Sequence, residues 1–224
     1  MAVNCDTWEG EGMESPTVWR GSTLGERAQD RREQFIAAGF RLIGADGTGA
    51  AAVRALCREA ELSAKYFYET FDSRGDLVIA VYDRVVGGEL VEVIGAADIH
   101  GKLPERLRIT FMAAAAYFEE DPRRARILFR ETLVDDVLRD HAVAAIPVFV
   151  LHVAQVVWRD GGSAGLADPD KLGLVVSSLS GGALVMVFLN WLEGRISATA
   201  DEVADHCTDL VLALHELGGT RTRG

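Results

Sequence analysis

The chain has 224 residues, of which 49% are hydrophobic and 25% are charged, and its formal net charge is −11 at pH 7. This apolar fraction excludes global disorder and suffices for one large domain or two small ones. The excess of acid excludes nucleic-acid binding that relies on overall positive charge. Cys5, Cys57 and Cys207 are far apart and form no CxxC or Cys/His cluster, which fits a reducing cytosol and argues against structural zinc. The first residues lack the basic and apolar regions of a secretory signal, so we expect a cytoplasmic protein.

The chain begins without a regular pattern and then becomes helical. Residues 1–24 are rich in Gly, Glu, Ser and Thr and are predicted to be a disordered arm. Phe35, Ile36 and Phe40 then recur at helical spacing, and a run of glycines ends this first helix. Ser63 is a plausible N-cap for a short third helix. The helices predicted in this part cover residues 26–44, 50–60, 64–70, and a stretch from 72 or 73 to about 94.

The rest of the chain also has helical periodicity, and no strand-like alternation is found. Pro104 and Pro122 lie at first-turn positions, whereas Pro147 is expected to kink its helix. The uncharged stretch Leu172–Leu192 could cross a bilayer, but its serines, glycines and Asn190 favour a buried helix over a membrane span. Helices are predicted over 104 to about 119, 121 to about 129, 141–159, 168 to about 192, and 199 or 201 to about 217, with a connecting segment near 131–140 and a frayed tail at 218–224.

Residues 51–77, AAVRALCREAELSAKYFYETFDSRGDL, have the layout of a helix-turn-helix, whose second helix enters the major groove of double-stranded DNA. Ser63 caps that second helix and leaves backbone amides that suit a phosphate. Ala64, Lys65 and Tyr66 occupy its first turn, where base edges are read. This arrangement predicts a DNA-reading surface.

Two further residues extend this surface. Tyr68 can donate its hydroxyl to a phosphate, and Arg74 starts another helix, from which it can hold the DNA backbone. Phe67 and Phe71 are spaced to point inward.

Residues 25–84 hold nine basic and ten acidic residues (9 − 10 = −1), and residues 85–224 hold thirteen basic and twenty acidic residues (13 − 20 = −7). DNA binding must therefore depend on where the charges lie, and we expect it to be salt-sensitive.

The string VRALCREAELSAKYFYETF, followed by DSRGDL, resembles the TetR family of transcriptional regulators. The resemblance is close over about residues 27–84, where an aromatic-rich helix ends in Tyr-x-x-Phe before a polar pair and an arginine. Elsewhere it extends to architecture alone. It implies an all-α protein with a three-helix DNA-binding domain at 25–75 and a larger helical effector-binding and dimerisation domain at 76–217. The implied DNA-binding residues are Arg54, Ser63, Ala64, Lys65, Tyr66, Tyr68 and Arg74.

The same segment departs from the family pattern at three places. Glu61 stands where the family usually has a turn glycine, so it must adopt a left-handed backbone or shift the turn. Ala51 and Ala52 replace the usual Thr or Ser, which removes a helix cap and a phosphate contact. Glu69 adds an acid near the DNA-facing side. These departures bear on DNA affinity more than on fold.

The resemblance further implies that the segments 168–192 and 199–217 pair with their copies in a homodimer. Small residues permit close helix approach there, and apolar residues supply buried area, namely Val185, Val187, Leu189, Leu192, Val203, Leu210, Val211 and Leu214. A pocket for a small apolar or amphipathic effector is expected among the middle helices, although the same residue types build ordinary core. The candidate pocket residues are Phe111, Met112, Tyr117, Phe118, Phe129, Phe149, His152 and Met186.

The resemblance implies a repressor that binds a palindromic operator as a homodimer and is released by an effector. Two other functional classes compete with this one. An enzyme is disfavoured because the sequence has no HExxH, G-x-S-x-G or phosphate-loop motif, and no cofactor or metal site is predicted. A helical interaction protein whose helix-turn-helix no longer binds DNA is motivated by the departures at Ala51, Ala52 and Glu61.

Overall fold

The computed structural model describes residues 24–145 and 182–220, and every regular element within these ranges is helical. Short helical turns join several of the main helices: a 3-10 turn at Thr48–Ala50 and π-helical segments at Arg84–Leu90 and Arg126–Arg130. In chain order the helices are α1 Leu24–Asp46, α2 Val53–Ala60, α3 Ala64–Thr70, α4 Arg74–Asp83, α5 Val91–Ala96, α6 Leu103–Glu120, α7 Pro122–Ala125, α8 Glu131–Val134, α9 at 136–145, α10 Leu184–Leu192 and α11 Ala200–Thr220.

The N-terminal three-helix domain forms because α1, α2 and α3 each bury one apolar stripe. Phe35 of α1, Leu56 of α2 and Phe67 of α3 are fully buried and meet in one core, which α4 closes with Leu77 and Val81. Burying each such side chain contributes about 1.5–3 kcal/mol. The all-α fold with an N-terminal helix-turn-helix and a larger helical domain, predicted from the sequence, is confirmed.

Helix boundaries differ from the sequence prediction where tertiary contacts intervene. The second helix begins at Val53 instead of Ala50, because Thr48–Ala50 forms a separate 3-10 turn held by distant residues. The segment predicted as a connection at 131–140 is mostly helical, with a single break at Asp135. The final helix continues to Thr220 and so includes the start of the predicted tail.

Side-chain caps or a first-turn proline stand at the start of three helices. The hydroxyl of Ser73 accepts the Asp76 amide at 3.2 Å at the start of α4. Thr199 and Glu202 cap α11 reciprocally, since each side chain accepts the other residue's backbone amide. Pro104 lies in the first turn of α6, where its missing N–H costs nothing.

The second domain centres on α11, which packs lengthwise against α6. Arg108 of α6 binds Asp201 and Asp205 of α11, the latter at 2.6 Å. Val203 and Val211 are buried inside the chain on this side of α11. They therefore serve the intramolecular core, which corrects the expectation that they supply dimer surface.

Several sequence predictions concern residues outside the described ranges. The disordered arm at 1–23, the kink at Pro147 and the first part of the dimer segment, 168–181, are among them. Within the described ranges, no helix is both long and apolar enough to cross a membrane. The same ranges hold no group of three or more His, Cys, Asp or Glu side chains that could bind a metal ion.

Candidate nucleic-acid interface

The exposed side of α3 carries five of the predicted DNA-binding residues. Lys65 has 81% of its side chain exposed, Tyr68 is 62% exposed and Tyr66 is 39% exposed. Ser63 and Ala64 at the start of the helix are also exposed. We call this surface, formed by Ser63, Ala64, Lys65, Tyr66 and Tyr68, the reading face. It presents one cation and three hydroxyl groups on a convex helix of the kind that fits the major groove.

The reading face is held in place by aromatic packing beneath it. The Phe67 ring meets the Phe35 ring edge-on at a centroid distance of 5.4 Å, and Phe71 lies 6.3 Å from Phe35 in a similar arrangement. Phe67 also contacts the Tyr68 ring at 5.3 Å. Phe67 and Phe71 are thus the inward anchors that the sequence predicted, and they orient α3 rigidly against α1.

The hydroxyl of the serine at the start of α3 does not cap that helix. Ser63 has the extended backbone of an N-cap, yet its hydroxyl makes no hydrogen bond to the first-turn amides. Ser73, at the start of α4, does use its hydroxyl in this way. The cap position predicted for Ser63 is therefore correct, whereas its hydroxyl is not occupied by the helix.

The other two predicted contacts lie in different surroundings. Arg54 is exposed near the start of α2. Arg74 instead turns inward, where its guanidinium donates to the carbonyl oxygens of Thr48 and Ala51 and lies 3.9 Å from the Asp135 carboxylate. Arg74 thus connects α4, the 3-10 turn and the second domain, a structural role that the sequence did not indicate.

The departure at Glu61 produces the left-handed turn that it requires. Glu61 has φ 56° and ψ 32°, and among the described residues it is the one non-glycine with positive φ. Its amide donates to the Arg58 carbonyl and the Leu62 amide donates to the Cys57 carbonyl, which is the Schellman pattern of a helix end. The turn of the motif is therefore preserved. The left-handed backbone of Glu61 is strained because this residue has a Cβ, and a glycine at this position would not have that strain.

The remaining departures remove a side-chain cap or add an acid. Ala52 is the N-cap of α2 and has no side chain to accept an amide, as expected. Glu69 lies 3.8 Å from Lys65 across one helical turn. Since both side chains are exposed, this pair is weak and leaves Lys65 able to reach a phosphate.

Sequence reasoning missed two arginines of α1 that lie over rings of the helix-turn-helix. The guanidinium carbon of Arg31 is 4.8 Å from the centre of the Tyr66 ring, and that of Arg32 is 5.4 Å from the centre of the Phe71 ring. Arg31 precedes Phe35 by four residues and so lies on the same side of α1. This spacing is a signal from which the proximity of Arg31 to α3 could have been predicted.

A second group of polar residues joins the two domains. Glu131 of α8 is 3% exposed, and its carboxylate accepts the Thr48 amide at 2.8 Å and the Arg126 Nε at 3.2 Å. Arg126 also donates to the Ala45 carbonyl at 2.6 Å. We call this set, the 47–51 loop with Arg74, Arg126 and Glu131, the domain junction. It clamps the loop that leads into α2, so the second domain determines where the helix-turn-helix begins.

Gly47 permits this close approach. Its φ is 87°, and a Cβ added there would lie 3.0 Å from a Glu131 carboxylate oxygen. A side chain at this position would therefore be strained in its backbone and would crowd the buried carboxylate.

The predicted effector residues divide into a packed cluster and a surface residue. Phe118, Phe129 and Phe188 meet at centroid distances of 5.2 to 6.2 Å, and Phe111 packs at the edge of the same core. Met186 is 41% exposed. Met112 is partly exposed, whereas Phe149 and His152 lie outside the described residues. In the described part, the aromatic members build core.

Tyr117 is fixed by polar contacts at the edge of this cluster. Its hydroxyl donates to the Val85 carbonyl at 3.0 Å and lies 3.1 Å from a Glu89 carboxylate oxygen, while the Arg124 guanidinium lies over its ring at 4.2 Å. Burial, followed by the neighbouring Glu89 charge, raises the pKa of Tyr117. The hydroxyl therefore stays protonated and links the π-helical segment Arg84–Leu90 to α6.

A cleft of about 240 Å³ opens beside the domain junction. Leu189 and Leu192 of α10 form an apolar wall, and Arg130 and Glu193 lie at a polar edge, where they form an ion pair at 3.7 Å. The cleft thus combines apolar and charged walls between α1, α7 and α10. None of the six predicted effector residues that lie within the described ranges lines it.

Comparison with known proteins supports what the geometry indicates. Residues 35–81 match the family model described as "Bacterial regulatory proteins, tetR family". This part of the chain is therefore similar to the helix-turn-helix domain of tetR-family regulators. The match covers α2 and α3 entirely, together with the part of α1 that contains Phe35 and the part of α4 that contains Leu77.

Solved TetR-type structures share the fold over most of the chain. A TetR-family transcriptional regulator from Streptomyces coelicolor aligns with TM-score 0.63 and 18% identity, covering 86% of this chain and 83% of that one. A putative transcriptional regulator from Pseudomonas aeruginosa PAO1 aligns with TM-score 0.62 and 22% identity, covering 87% and 94%. FadR from Bacillus subtilis, solved with stearoyl-CoA, aligns with TM-score 0.62 and 13% identity, covering 80% and 96%. No curated protein matches the sequence significantly.

Proposed function

We propose that this TetR-type protein is a cytoplasmic transcriptional repressor that binds a palindromic operator as a homodimer and is released by a small-molecule effector. The observation that carries the proposal is the reading face. Its residues are exposed on one side of α3, and the aromatic core holds that helix rigidly from the other side. Such preorganisation lowers the conformational cost of binding a groove.

The electrostatics of the chain determine how such binding must work. With a net charge of −11, the protein as a whole is repelled by DNA, so attraction depends on the exposed cations Lys65 and Arg54 beside the reading face. For each phosphate that such a cation neutralises, the slope of the logarithm of the association constant against the logarithm of the salt concentration becomes more negative by about 0.9. We expect a modest slope, because few cations are available and Glu69 lies among them.

The proposed homodimer would pair α10 and α11 with their copies in the partner subunit. Symmetric dimers place two reading helices about 34–36 Å apart on one side of the duplex. Because Val203 and Val211 are buried within one chain, the surface for a partner must come from other residues, such as the exposed Met186. The proposed interface spans 168–192 and 199–217, of which residues 168–181 lie outside the described ranges.

The effector is proposed to be a small apolar or amphipathic molecule. Its support is the mixed apolar and charged cleft beside the domain junction, together with the FadR structure from Bacillus subtilis in complex with stearoyl-CoA. An effector releases DNA only if it binds the DNA-free conformation more tightly than the DNA-bound one. The cleft contacts Gly44 near the end of α1, and α1 is the helix that orients the reading face.

The decisive experiment is selection of bound duplexes from a random pool. We expect enrichment of a two-fold symmetric sequence with half-sites about one helical turn apart. Recovery of random duplexes, or of a sequence without two-fold symmetry, would contradict the proposed dimeric operator binding. Adding stearoyl-CoA to the selected complex then tests that effector class through loss of the bound fraction.

Site variants test whether the reading face is responsible. Lys65→Ala should weaken operator binding and reduce the salt slope by about 0.9, and Tyr68→Phe should weaken it by loss of one phosphate hydrogen bond. Lys102→Ala, which removes an exposed lysine before α6, is the matched control and should leave binding unchanged. If both reading-face variants bind as the wild type does, the site assignment is wrong.

A second candidate is a helical interaction protein whose helix-turn-helix has lost DNA binding. The strained turn at Glu61 and the missing cap at Ala52 favour it. It predicts a folded dimer that selects no sequence from the duplex pool at any salt concentration, and the same experiment therefore separates the two functions.

A further inference from the structure

Two consecutive arginines of α1 each lie over an aromatic ring, but one ring belongs to the core and the other to the reading face. Arg32 lies over Phe71, which is 5% exposed and belongs to the core. Arg31 lies over Tyr66, which is 39% exposed and belongs to the reading face. Of this pair, only Arg31 connects the rigid helix α1 to a side chain that faces the groove.

The stack restricts the motion of an otherwise free ring. An exposed tyrosine samples several χ1 rotamers, and each would present its hydroxyl to a different base edge. A planar guanidinium lying over the ring favours one of them, whereas an ammonium group has no plane to match. The orientation of Tyr66 is therefore coupled to the position of Arg31.

One polar atom of Arg31 is buried beside the ring. Its Nε is shielded from solvent and has no hydrogen-bond partner among the described residues. A buried N–H without a partner is unfavourable, so the Nε adds no stabilising hydrogen bond to this placement. The contact between the guanidinium and the Tyr66 ring is therefore the interaction that connects Arg31 to the reading face.

We propose that Arg31 is a positioning residue for DNA recognition: it fixes the Tyr66 ring and thereby sets the base preference at one position of each half-site. The inference rests on the proposed DNA-binding function. Arg31 acts through Tyr66 and itself contributes no phosphate contact. Loss of the stack leaves Tyr66 able to bind several base edges, which relaxes one position of the operator.

The test compares wild type, Arg31→Lys and Arg31→Met in the random-pool selection, with Arg32→Lys as the matched control. Both Arg31 variants should keep the half-site spacing. Arg31→Met should lose about five- to tenfold of the preference at one base pair, which is the strength of a partly exposed cation–π contact. Arg31→Lys keeps a cation but not the planar group, so it should lose part of that preference. Arg32→Lys should retain the wild-type sequence preference, because Phe71 does not face DNA. Denaturant unfolding verifies that each variant is folded.

Two further measurements separate positioning from direct contact. The salt slope of operator binding should be unchanged in Arg31→Met, whereas a slope reduced by about 0.9 would show a lost phosphate contact and overturn the inference. In a Tyr66→Ala background, Arg31→Met should have no further effect on base preference. An equal effect with and without the Tyr66 ring would also overturn it.

The outcomes distinguish this inference from the proposed function. If the wild type enriches no sequence, the proposed DNA-binding function fails and the role of Arg31 fails with it. If the wild type enriches an operator but Arg31→Lys and Arg31→Met select the same sequence with the same preference, only the positioning role of Arg31 is refuted.

Discussion

The reading face and the domain junction use polar groups in opposite ways. On the reading face, Lys65 and Tyr68 are exposed, and the nearest charge to Lys65 is a weak partner at 3.8 Å. At the domain junction, the Glu131 carboxylate is buried and accepts two hydrogen bonds from residues far apart in sequence. The polar groups of the reading face are left in contact with solvent, whereas the groups that hold the domains together form hydrogen bonds within the chain.

This contrast separates the expected effects of substitutions. Changes beneath the reading face or at the domain junction should alter stability, because they remove buried contacts. Changes on the reading face should alter DNA binding with little effect on stability, because its side chains contact few neighbours. Each of the following substitutions tests one side of that division.

The largest effect is expected at Phe67, which is fully buried under the reading face. Phe67→Ala should lower the free energy of unfolding by about 3–5 kcal/mol, because it removes the ring that joins α3 to Phe35 and leaves a cavity. Chemical denaturation measures the change. Lys65→Ala, on the exposed side of the same helix with 81% of its side chain exposed, is the control and should change stability by less than about 0.5 kcal/mol. Similar losses for both would mean that α3 packs differently.

At the domain junction, Glu131→Ala should lower the free energy of unfolding by about 2–3 kcal/mol. It leaves the buried Thr48 amide without an acceptor and Arg126 without its charge partner. Glu131→Gln keeps an acceptor and should lose less. Asp136→Ala, which removes an ion pair whose carboxylate is 87% exposed, should be nearly neutral. Equal stability of Glu131→Ala and Asp136→Ala would contradict the clamp.

A substitution in the turn between α2 and α3 should change the free energy of unfolding by a smaller amount, and should raise it. Glu61→Gly should raise the free energy of unfolding by about 0.5–1 kcal/mol, because glycine adopts φ 56° without a Cβ clash. Thermal unfolding measures it. Glu61→Ala removes the charge but keeps the Cβ, so it should give no such gain. If Ala stabilises as much as Gly, charge and not backbone strain explains the effect.

The smallest effect is expected on the reading face itself. Glu69→Gln removes an acid near the DNA and frees Lys65, so operator affinity should rise by a few-fold, or about 0.5–1 kcal/mol at low salt. Titration at two salt concentrations measures it, and the gain should shrink at the higher one. Unfolding should be unchanged. A gain that is independent of salt would point to a cause other than charge.

Much of the N-terminal domain could be predicted because its contacts are local. The bounds of α3, the inward direction of Phe67 and Phe71 and the cap at Ser73 follow from helical spacing and from capping rules that act within a few residues. Even the left-handed backbone of Glu61 could be predicted from its place in the turn. The exposure of Lys65 and Tyr68 was likewise expected.

The rest could not be predicted because it depends on residues brought together across the chain. Glu131 contacts the Thr48 amide across 83 residues, and nothing near either residue signals the pairing. Arg74 was expected to bind DNA phosphate, yet it donates to two carbonyl oxygens of the 47–51 loop. The inward turn of Val203 and Val211 depends likewise on where α6 lies.

The sequence by itself determined the all-α fold, the helix-turn-helix and the chemical character of the reading face. These properties follow from short-range periodicity and from which residue types cap, turn or stack. Only the tertiary structure decided which arginine supports Tyr66, which carboxylate clamps the loop before α2, and which side of α11 is buried. Those outcomes depend on the relative placement of helices, which side chains distant in sequence set together through packing and desolvation.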